Sequence, residues 1–346
     1  MTVIYNNEKS NNKKNKKLNN GNNKTNNMNR RRNSMKNKRN RNNINSRTYR
    51  RQHTVKRNNP YTKSKCSPQT VKNKRKRNNK YIDNSCFSMK QLQYLKKTWN
   101  NRNYNDTIKT DNPSNIWKFF QNKFKTLCDS ERCWLNQEFI KQNIQTLSLK
   151  NNTFVPQKPS QWAINPTSLI DSNNILDVMH QYEKSYPHFR FIGPSPIDFK
   201  KINTYSNNSC VCNLLCNFQL KYYIDNNIYQ IGIIFNTDPH TKGGEHWISL
   251  YIDLKKNVIC FFDSEADEVP KEIMEFVKLV LKQGNVLHKR LKFIKNEIVH
   301  QEKNTECGMY SIHFIIQSLT GNMKSILKKR LSDDEVQSYR DVYFSI

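Results

Sequence analysis

Cys307 stands where a chain can present a reactive thiol. It follows the polar stretch NEIVHQEKNTE and directly precedes an apolar pattern with helical spacing over residues 309–319. A cysteine reacts as its thiolate, and the unpaired amides at the start of a helix favour that negative charge. Gly308 allows close approach of a substrate carbonyl. The pattern therefore predicts a nucleophilic cysteine at the N-terminal end of a helix.

A thiolate nucleophile needs a histidine that receives or holds its proton. His246 opens the predicted strand HWISLYIDL directly after the flexible loop DPHTKGGE, and Asp263 ends the next strand. A hairpin between these strands would bring the Asp263 carboxylate beside His246 and orient the imidazole. Gln301, six residues before Cys307, is a candidate amide donor to an oxyanion, together with the Cys307 amide.

Simpler alternatives for the same residues stay open at this point. Cys307 could be a buried core thiol, and His246 a hydrogen bonder at a strand edge. Asp263 could cap a turn, and Gln301 could be solvated. Asp253 is the competing carboxylate, but its place before Leu-Lys-Lys predicts a solvent-facing side chain.

The predicted secondary structure places these candidates in an α+β domain. HWISLYIDL alternates as a strand with one buried face, and NVICFFD has the continuous apolar character of a strand covered on both faces. QLKYYIDNNIYQIGIIFN predicts a hairpin at Asp225-Asn226-Asn227. Helical spacing marks DSNNILDVMHQYEKSY, PKEIMEFVKLVLKQ and the segment after Cys307. Helices, a run of strands, a helix, a strand and further helices predict a mostly central sheet.

The first 80 residues differ in composition from the rest of the chain. They hold 26 Lys and Arg residues, 23 Asn residues and the single acid Glu8, in a chain of 346 residues with a formal net charge of +31. So few apolar residues cannot offset the entropy lost on ordering. We therefore predict a disordered basic arm over residues 1–85, a linker or short helix over residues 86–113 and a catalytic domain over residues 114–346.

The basic arm indicates a partner class. Its runs RRRNSMKNKRNR and KNKRKRNNK would attract DNA, RNA or another polyanion through counterion release. They could also act as nuclear import signals or as a solvated tether. No stretch reaches the ~20 apolar residues of a membrane span and no apolar signal core opens the chain, which predicts an intracellular protein without a membrane partner.

The cysteines could be reduced thiols or metal ligands. In an intracellular protein, the nine cysteines are expected to be reduced thiols. Cys210, Cys212 and Cys216 cluster as metal ligands do, but no second Cys or His pair with regular spacing lies nearby. We therefore expect no metal and no cofactor.

The spacing of the candidate residues resembles that of the cysteine proteases of the ubiquitin-like-protein-specific (SUMO protease) and adenain superfamily. The matching positions are His246-Trp247, Asp263-Ser264, Gln301 and Cys307-Gly308. The stretch CWLNQEFI over residues 133–140 is similar to the family's Trp-Leu-Asn-Asp-x-x-Ile where the catalytic domain begins. Gln137 stands there in place of the family's Asp.

The resemblance implies a papain-like α+β fold with a central mixed sheet flanked by helices, in the circularly permuted order His, Asp, Cys. It also implies acyl transfer through a thioester, typically after a Gly-Gly or similar small-residue motif. Trp247 would line the narrow tunnel that admits the Gly-Gly backbone, although it could be ordinary core. Trp134 and Gly308 are the other predicted substrate-binding residues.

Two segments refine the resemblance. RFIGPSPIDFKKI and IGIIFNTDPHTKGGEHW look more like the maturation proteases of large cytoplasmic DNA viruses than cellular deSUMOylases. The predicted function is a cysteine endopeptidase that processes viral structural precursors during virion maturation, in the virion, in a viral factory in the host cytoplasm, or in the nucleus. The alternatives are a deconjugating or processing protease for a ubiquitin-like protein, and a nucleic-acid-binding virion protein with an inactive protease fold.

Overall fold

A computed structural model describes residues 65–76, 81–142, 144–203 and 209–345. Its helices are α1 Pro68–Arg75, α2 Met89–Asn100, α3 Pro113–Phe124, α4 Glu131–Trp134, α5 Ile144–Thr153, α6 Ser172–Ser185, α7 Asn213–Cys216, α8 Leu220–Asp225, α9 Lys271–Val286, α10 Cys307–Leu319, α11 Met323–Ile326, α12 Asp333–Ser338 and α13 Arg340–Tyr343. Its strands are β1 Phe189–Pro196, β2 Ile202–Asn203, β3 Ser209–Cys210, β4 Gln230–Asn236, β5 Trp247–Asp253, β6 Val258–Phe262 and β7 Lys292–Lys295.

The central sheet has five strands in the order β1-β4-β5-β6-β7. The β4–β5 and β5–β6 pairs are antiparallel, whereas the two outer pairs are parallel. The β5–β6 hairpin confirms the predicted strand–turn–strand. Its turn is closed by the Asp253 carboxylate, which accepts the amides of Lys255 at 3.0 Å and Lys256 at 2.9 Å.

Helices cover both faces of this sheet. On one face, the apolar stripe of α10 packs with α6 against Ile234, Tyr251 and Phe262. On the other face, α9 and α8 pack against residues such as Leu250 and Phe261. The predicted mixed sheet flanked by helices is confirmed.

Strand β5 differs from its predicted exposure. Its alternation assigns the faces correctly, with Leu250 and Ile252 toward α9 and Tyr251 toward α10. Both faces are buried, however, because α10 covers the side that a solvated strand would expose. Asp253, predicted to face solvent, is only 2% exposed.

The predicted hairpin at residues 225–227 is wrong, because the first of its two segments forms α8. Leu220 and Tyr223 are buried there. The Gln283 side chain of α9 accepts the Leu220 amide at 2.6 Å and donates to the Phe218 carbonyl at 2.9 Å. Packing against α9 thus overrides the β-propensity of the Tyr- and Ile-rich run.

A third apolar cluster joins the residues on both sides of the predicted domain boundary at residue 114. Phe87, Leu95 and Trp99 pack in it with Phe120 and Trp134. The described residues 65–76 and 81–113 therefore form helices that pack against residues beyond 114, where an arm and a linker were predicted. Their few apolar residues suffice because α2 aligns them on one stripe. Residues 1–64 and 77–80 of the predicted arm lie outside the described residues.

The prediction of nine reduced thiols is wrong for six of them. The structure pairs Cys66 with Cys86, Cys128 with Cys133, and Cys210 with Cys216, at Cα separations of 5.1, 5.5 and 6.2 Å. Folding brings these cysteines within disulfide reach, a distance that composition does not report. The free cysteines are Cys212, Cys260 and Cys307.

The described residues contain no candidate metal cluster and no candidate membrane helix. Nowhere in them do three or more His, Cys, Asp or Glu side chains gather in an arrangement able to hold a metal ion. None of their helices combines the length and the apolar character that crossing a bilayer requires.

Candidate active site

His246 and Asp263 meet at one edge of the sheet. His246 directly precedes β5 and Asp263 directly follows β6, and the antiparallel register brings these two strand ends together. The Nε2 atom of His246 lies 2.7 Å from Oδ1 of Asp263. The carboxylate is 4% exposed, so this hydrogen bond forms in a largely water-excluded setting.

Asn296, which the sequence reasoning missed, holds Asp263 in place. Its Oδ1 accepts the Asp263 amide at 2.9 Å, and its Nδ2 donates to the Asp263 carbonyl at 2.7 Å. The signal for it is weak, because an Asn directly after a short strand is usually a turn residue.

Cys307 is the first residue of α10, as the sequence predicts, and its side chain is 3% exposed. The thiol and the His246 ring are hydrogen-bonding neighbours. Because Nε2 of the ring faces Asp263, Nδ1 is the atom available to Cys307. The three side chains thus form a continuous chain of contacts at the start of a helix.

The charges around the imidazole suit nucleophilic chemistry. Burial of the ring lowers the pKa of His246, but the hydrogen bonds and charges of Asp263 and Cys307 outweigh it and raise that pKa to about 10. The ring is therefore an imidazolium at neutral pH. An imidazolium beside a thiolate is the pair from which a cysteine attacks a carbonyl.

Gln301 lies in the loop before α10 and is anchored to the end of β6. Its backbone amide donates to the Ser264 carbonyl at 2.9 Å, and its side-chain Oε1 accepts from the Ser264 hydroxyl at 3.0 Å. Its Nε2 donates to Glu265 Oε1 at 3.3 Å. The loop thus brings Gln301 to the same sheet edge as Asp263.

Trp247 and Ile170 border the backbone at Gly308. A Cβ placed on Gly308 would lie 2.5 Å from Ile170 Cγ1 and 3.1 Å from Trp247 Cδ1. Gly308 is buried, so it is required for packing at this point. Ile170 was missed by the sequence reasoning, because it lies in a loop without periodicity.

Trp134 does not lie at this site, in contrast to its prediction as a substrate-binding residue. It is fully buried in the third cluster, with ring centroids 6.0 Å from Phe87, 6.1 Å from Trp117 and 5.8 Å from Phe120. Helical packing around a large aromatic side chain explains its place in CWLNQEFI.

Replacing Trp134 with alanine is expected to destabilise the fold by about 3–5 kcal/mol, because it leaves a cavity among packed rings. Urea unfolding of Trp134→Ala and of the wild type measures this difference. The fraction that stays folded should keep the wild-type rate of peptide cleavage. A variant of unchanged stability with reduced cleavage would instead restore Trp134 to the substrate site.

Two buried histidines near α10 have other partners. The Nδ1 atom of His300 accepts the Leu331 amide at 3.0 Å, and that of His313 lies 2.8 Å from the Tyr343 hydroxyl. Burial lowers the pKa of His300 to about 4 and that of His313 to about 3. Both rings are therefore neutral structural groups at neutral pH.

The His300→Asn variant is expected to resist acid better than the wild type. An unfolded histidine titrates near pH 6.5, so between pH 6.5 and 4 the unfolded chain binds the proton that folded His300 does not. Stability then falls by about 1.4 kcal/mol per pH unit as the pH falls. The Asn Oδ1 can replace Nδ1 as acceptor without titrating, which flattens this slope.

Melting temperatures between pH 7 and pH 4 measure the effect. His288→Asn, at an exposed histidine, is the matched control and should keep the wild-type slope. Equal slopes in the wild type and His300→Asn would contradict the prediction.

Comparison with known proteins shows similarity to cysteine proteases. The model of the Ulp1 protease family, C-terminal catalytic domain, matches residues 227–345, which include all four predicted catalytic residues. A protein of Acanthamoeba polyphaga mimivirus named "Putative thiol protease" is 30% identical over 287 residues, covering 76% of this chain and 89% of its own length.

Similarity extends to a second large DNA virus. A SUMO-1 cysteine protease of African swine fever virus is 25% identical over 240 residues, covering 67% of this chain and 88% of its own length. A crystal structure of an African swine fever virus protease has the same fold, with a TM-score of 0.59 at 21% identity over 82% of this chain and 96% of that one. The chain therefore belongs to the Ulp1 family of cysteine proteases.

Proposed function

We propose that this cysteine peptidase is an endopeptidase that cuts after small residues. In this proposal Cys307 is the nucleophile, His246 the proton carrier and Asp263 the group that orients the imidazole. The observation that carries the proposal is the 2.7 Å contact from His246 to Asp263, beside a cysteine at the first residue of α10.

The reaction proceeds by acyl transfer. The Cys307 thiolate attacks the carbonyl carbon, a C–S bond forms, and the carbonyl oxygen becomes an oxyanion. His246 gives its Nδ1 proton to the leaving amine as the C–N bond breaks. A water then attacks the thioester, and its proton passes to His246 as the Cys307 thiolate leaves.

Two donors are proposed for the oxyanion, the Cys307 amide and the Gln301 side chain. A side-chain amide has two N–H groups, so the contact from Gln301 to Glu265 leaves a second N–H for the oxyanion. Donors of this kind typically contribute about 10²- to 10³-fold each.

The preference for small residues rests on the surroundings of Gly308. Trp247 and Ile170 approach this backbone closely, and Trp247 is half-buried next to His246. We propose that these two side chains also narrow the substrate path beside Cys307, so that a Gly-Gly-like sequence fits better than bulky residues.

We further propose that the substrates are viral structural precursors and that the enzyme acts during virion maturation, in the virion, in a cytoplasmic viral factory or in the nucleus. The similarity to proteins of two large DNA viruses supports this. The basic residues of the region 1–80 would hold the enzyme on DNA, RNA or another polyanion.

A second candidate function is deconjugation or processing of a ubiquitin-like protein, which the name of the African swine fever virus relative favours. A third, from another class, is a nucleic-acid-binding virion protein with an inactive protease fold. The basic composition of residues 1–80 supports it, whereas the His246–Asp263 contact favours activity.

A Gly-Gly peptide with a C-terminal electrophile tests the central proposal. We expect one adduct, at Cys307. It should form much more slowly in His246→Ala than in the wild type. In the wild type, it should also form more slowly when Phe-Phe replaces Gly-Gly in the peptide. Equal labelling rates with the Gly-Gly and Phe-Phe peptides would contradict the preference for small residues.

Two substrates and one truncation separate the alternatives. Cleavage of an internal Gly-Gly-Ala peptide favours an endopeptidase, whereas cleavage only of an intact ubiquitin-like protein with an extended Gly-Gly tail favours a processing enzyme. Removal of residues 1–57, which leaves the compact unit of residues 58–346, should preserve peptide cleavage. A virion protein with an inactive fold would cleave neither substrate.

A further inference from the structure

Residues 300–306, here named the nucleophile loop, carry Gln301 and lead directly into Cys307. The start of the loop is fixed by main-chain bonds, because the amides of His300 and Gln301 donate to the Ser264 carbonyl at 2.8 and 2.9 Å. The middle of the loop is exposed at Glu302, Lys303 and Asn304. The groups that hold the rest of the loop come from the C-terminal helices α12 and α13.

Asp333, the first residue of α12, holds the middle of the loop with one carboxylate. Its Oδ2 accepts the amides of Glu302 at 3.0 Å and Lys303 at 3.1 Å. Its Oδ1 lies 3.1 Å from the hydroxyl of Tyr310, a residue one turn after Cys307 on α10. The Asp333 side chain is 5% exposed, so these charge-assisted bonds form largely out of water.

Arg340, the first residue of α13, holds the end of the loop. Its Nε and Nη2 lie 3.0 Å from the two carboxylate oxygens of Glu306, a bidentate pair whose side chains are 4% and 2% exposed. Its Nη2 also reaches the Thr305 carbonyl at 3.4 Å. The Glu306 carbonyl carbon is bonded to the Cys307 amide nitrogen, so this pair anchors the residue directly before that N–H.

Arg340 also connects the loop to the wall beside Gly308. Its Nη1 donates to the Ser168 carbonyl at 2.8 Å, two residues before Ile170. Its guanidinium lies 4.3 Å from the centre of a Trp162 ring, which fixes the plane of the fork. One side chain thus spans the nucleophile loop and the segment that carries Ile170.

Two other ion pairs join the same segments but are exposed. The Lys303–Asp334 pair has side chains 63% and 83% exposed, and the Arg330–Glu302 pair 42% and 69%. Exposed pairs of this kind contribute little to a fixed geometry. Asp333 and Arg340 are therefore the buried charged groups that hold residues 302–306 of the loop.

We propose that Asp333 and Arg340 are positioning residues that hold the nucleophile loop so that the Cys307 amide points at the developing oxyanion. This rests on the proposed role of Cys307 as nucleophile. Neither residue touches the substrate, and both act through the loop. A bidentate carboxylate needs the planar fork of arginine, so lysine at position 340 keeps the charge but not the geometry.

Two reactions of Cys307 in the full-length protein test this proposal separately from substrate preference. Acylation by p-nitrophenyl acetate passes through an oxyanion and releases p-nitrophenolate, whereas alkylation by iodoacetamide needs the thiolate but forms no oxyanion. In Arg340→Lys and Asp333→Asn, we expect acylation to fall about 10-fold or more, since a lost donor costs up to ~10³-fold. Alkylation should stay within about 3-fold of wild type.

Glu131→Gln, in the third cluster, is a control variant that should lose a similar amount of folding stability. Glu131 is 2% exposed, accepts the Cys86 amide at 2.8 Å and contacts Trp117 Nε1 at 2.5 Å, so its loss removes comparable buried bonds elsewhere. Both rates should be unchanged in its folded fraction. Asp341→Asn, at an exposed residue of α13, controls for changes at that helix.

The outcomes of the two reactions distinguish a positioning role from a general loss of structure. Unchanged acylation in both variants, or acylation and alkylation falling in parallel, overturns the positioning role. If Arg340→Lys does not fold, Glu306→Gln removes the same bidentate pair from the loop side and must show the same selective loss. Failure of the Gly-Gly peptide assay with normal acylation of the wild type would count against the proposed specificity and not against the positioning role.

Discussion

Replacing Cys307 with alanine is expected to abolish peptide cleavage, with a loss of roughly 10⁴-fold or more in kcat. Without the thiol, no thioester forms, and only binding and the oxyanion donors remain to assist water. The variant should fold, because the thiol is small, although it is only 3% exposed. Peptide cleavage and intact mass after reaction with the Gly-Gly electrophile measure the two consequences together.

Cys260→Ala is the matched control for this substitution. Cys260 is a second free, buried cysteine, on β6, and burial raises its pKa to about 12, so its thiol is inert at neutral pH. Cleavage and adduct formation should persist in that variant. Residual cleavage by Cys307→Ala near the wild-type rate would remove Cys307 from the mechanism.

Exchanging Asp263 for asparagine is expected to lower kcat by about 10²- to 10⁴-fold with little change in KM. Asparagine can still accept a hydrogen bond from Nε2, but it lacks the negative charge that stabilises the imidazolium. The loss acts on proton transfer and not on binding, since Asp263 lies behind His246 as seen from Cys307. Steady-state kinetics with a Gly-Gly peptide separate kcat from KM.

The pH profile should change in the same variant. Burial lowers the pKa of His246, and contacts with Asp263 and Cys307 raise it to about 10, so removing the Asp263 charge lowers that pKa. The alkaline limb of activity, where the imidazolium loses its proton, should then move to lower pH. In the wild type, the raised pKa also contributes folding stability that is complete below pH 6.5 and is lost as the pH rises through about 10.

Asp253→Asn provides the comparison for Asp263→Asn. Both carboxylates end neighbouring strands and both are buried, but Asp253 closes the β5–β6 turn at the opposite end of the hairpin. Asp253→Asn should lower stability and leave the pH profile unchanged. Equal kinetic losses in the two variants would mean that the carboxylate acts through the hairpin and not on His246.

Much of the site was predictable because it depends on short-range structure. Alternating residues set the faces of β5, and the short β5–β6 turn sets the register, so His246 and Asp263 meet at one edge. The helix after Cys307 follows from its apolar spacing. The resemblance of these positions to a known protease family added the reaction type.

Other features depended on contacts between distant segments and were mispredicted. Trp134 is in the third cluster and not at the site, and Asp253 is buried because α10 covers its face of the sheet. The run from Leu220 to Asp225 became helical through packing on α9. Six cysteines pair because folding brings them close together.

The sequence by itself predicted that Cys307 begins a helix and that His246 and Asp263 lie at neighbouring strand ends, because these positions follow from two adjoining strands and one helix. Only the tertiary structure decided that Asn296 holds Asp263, that Ile170 and Trp247 flank Gly308, and that Asp333 and Arg340 hold the loop before Cys307. These contacts join residues far apart in the chain. Local patterns of polarity and propensity carry no record of such distances, which arise only when the helices close on both faces of the sheet.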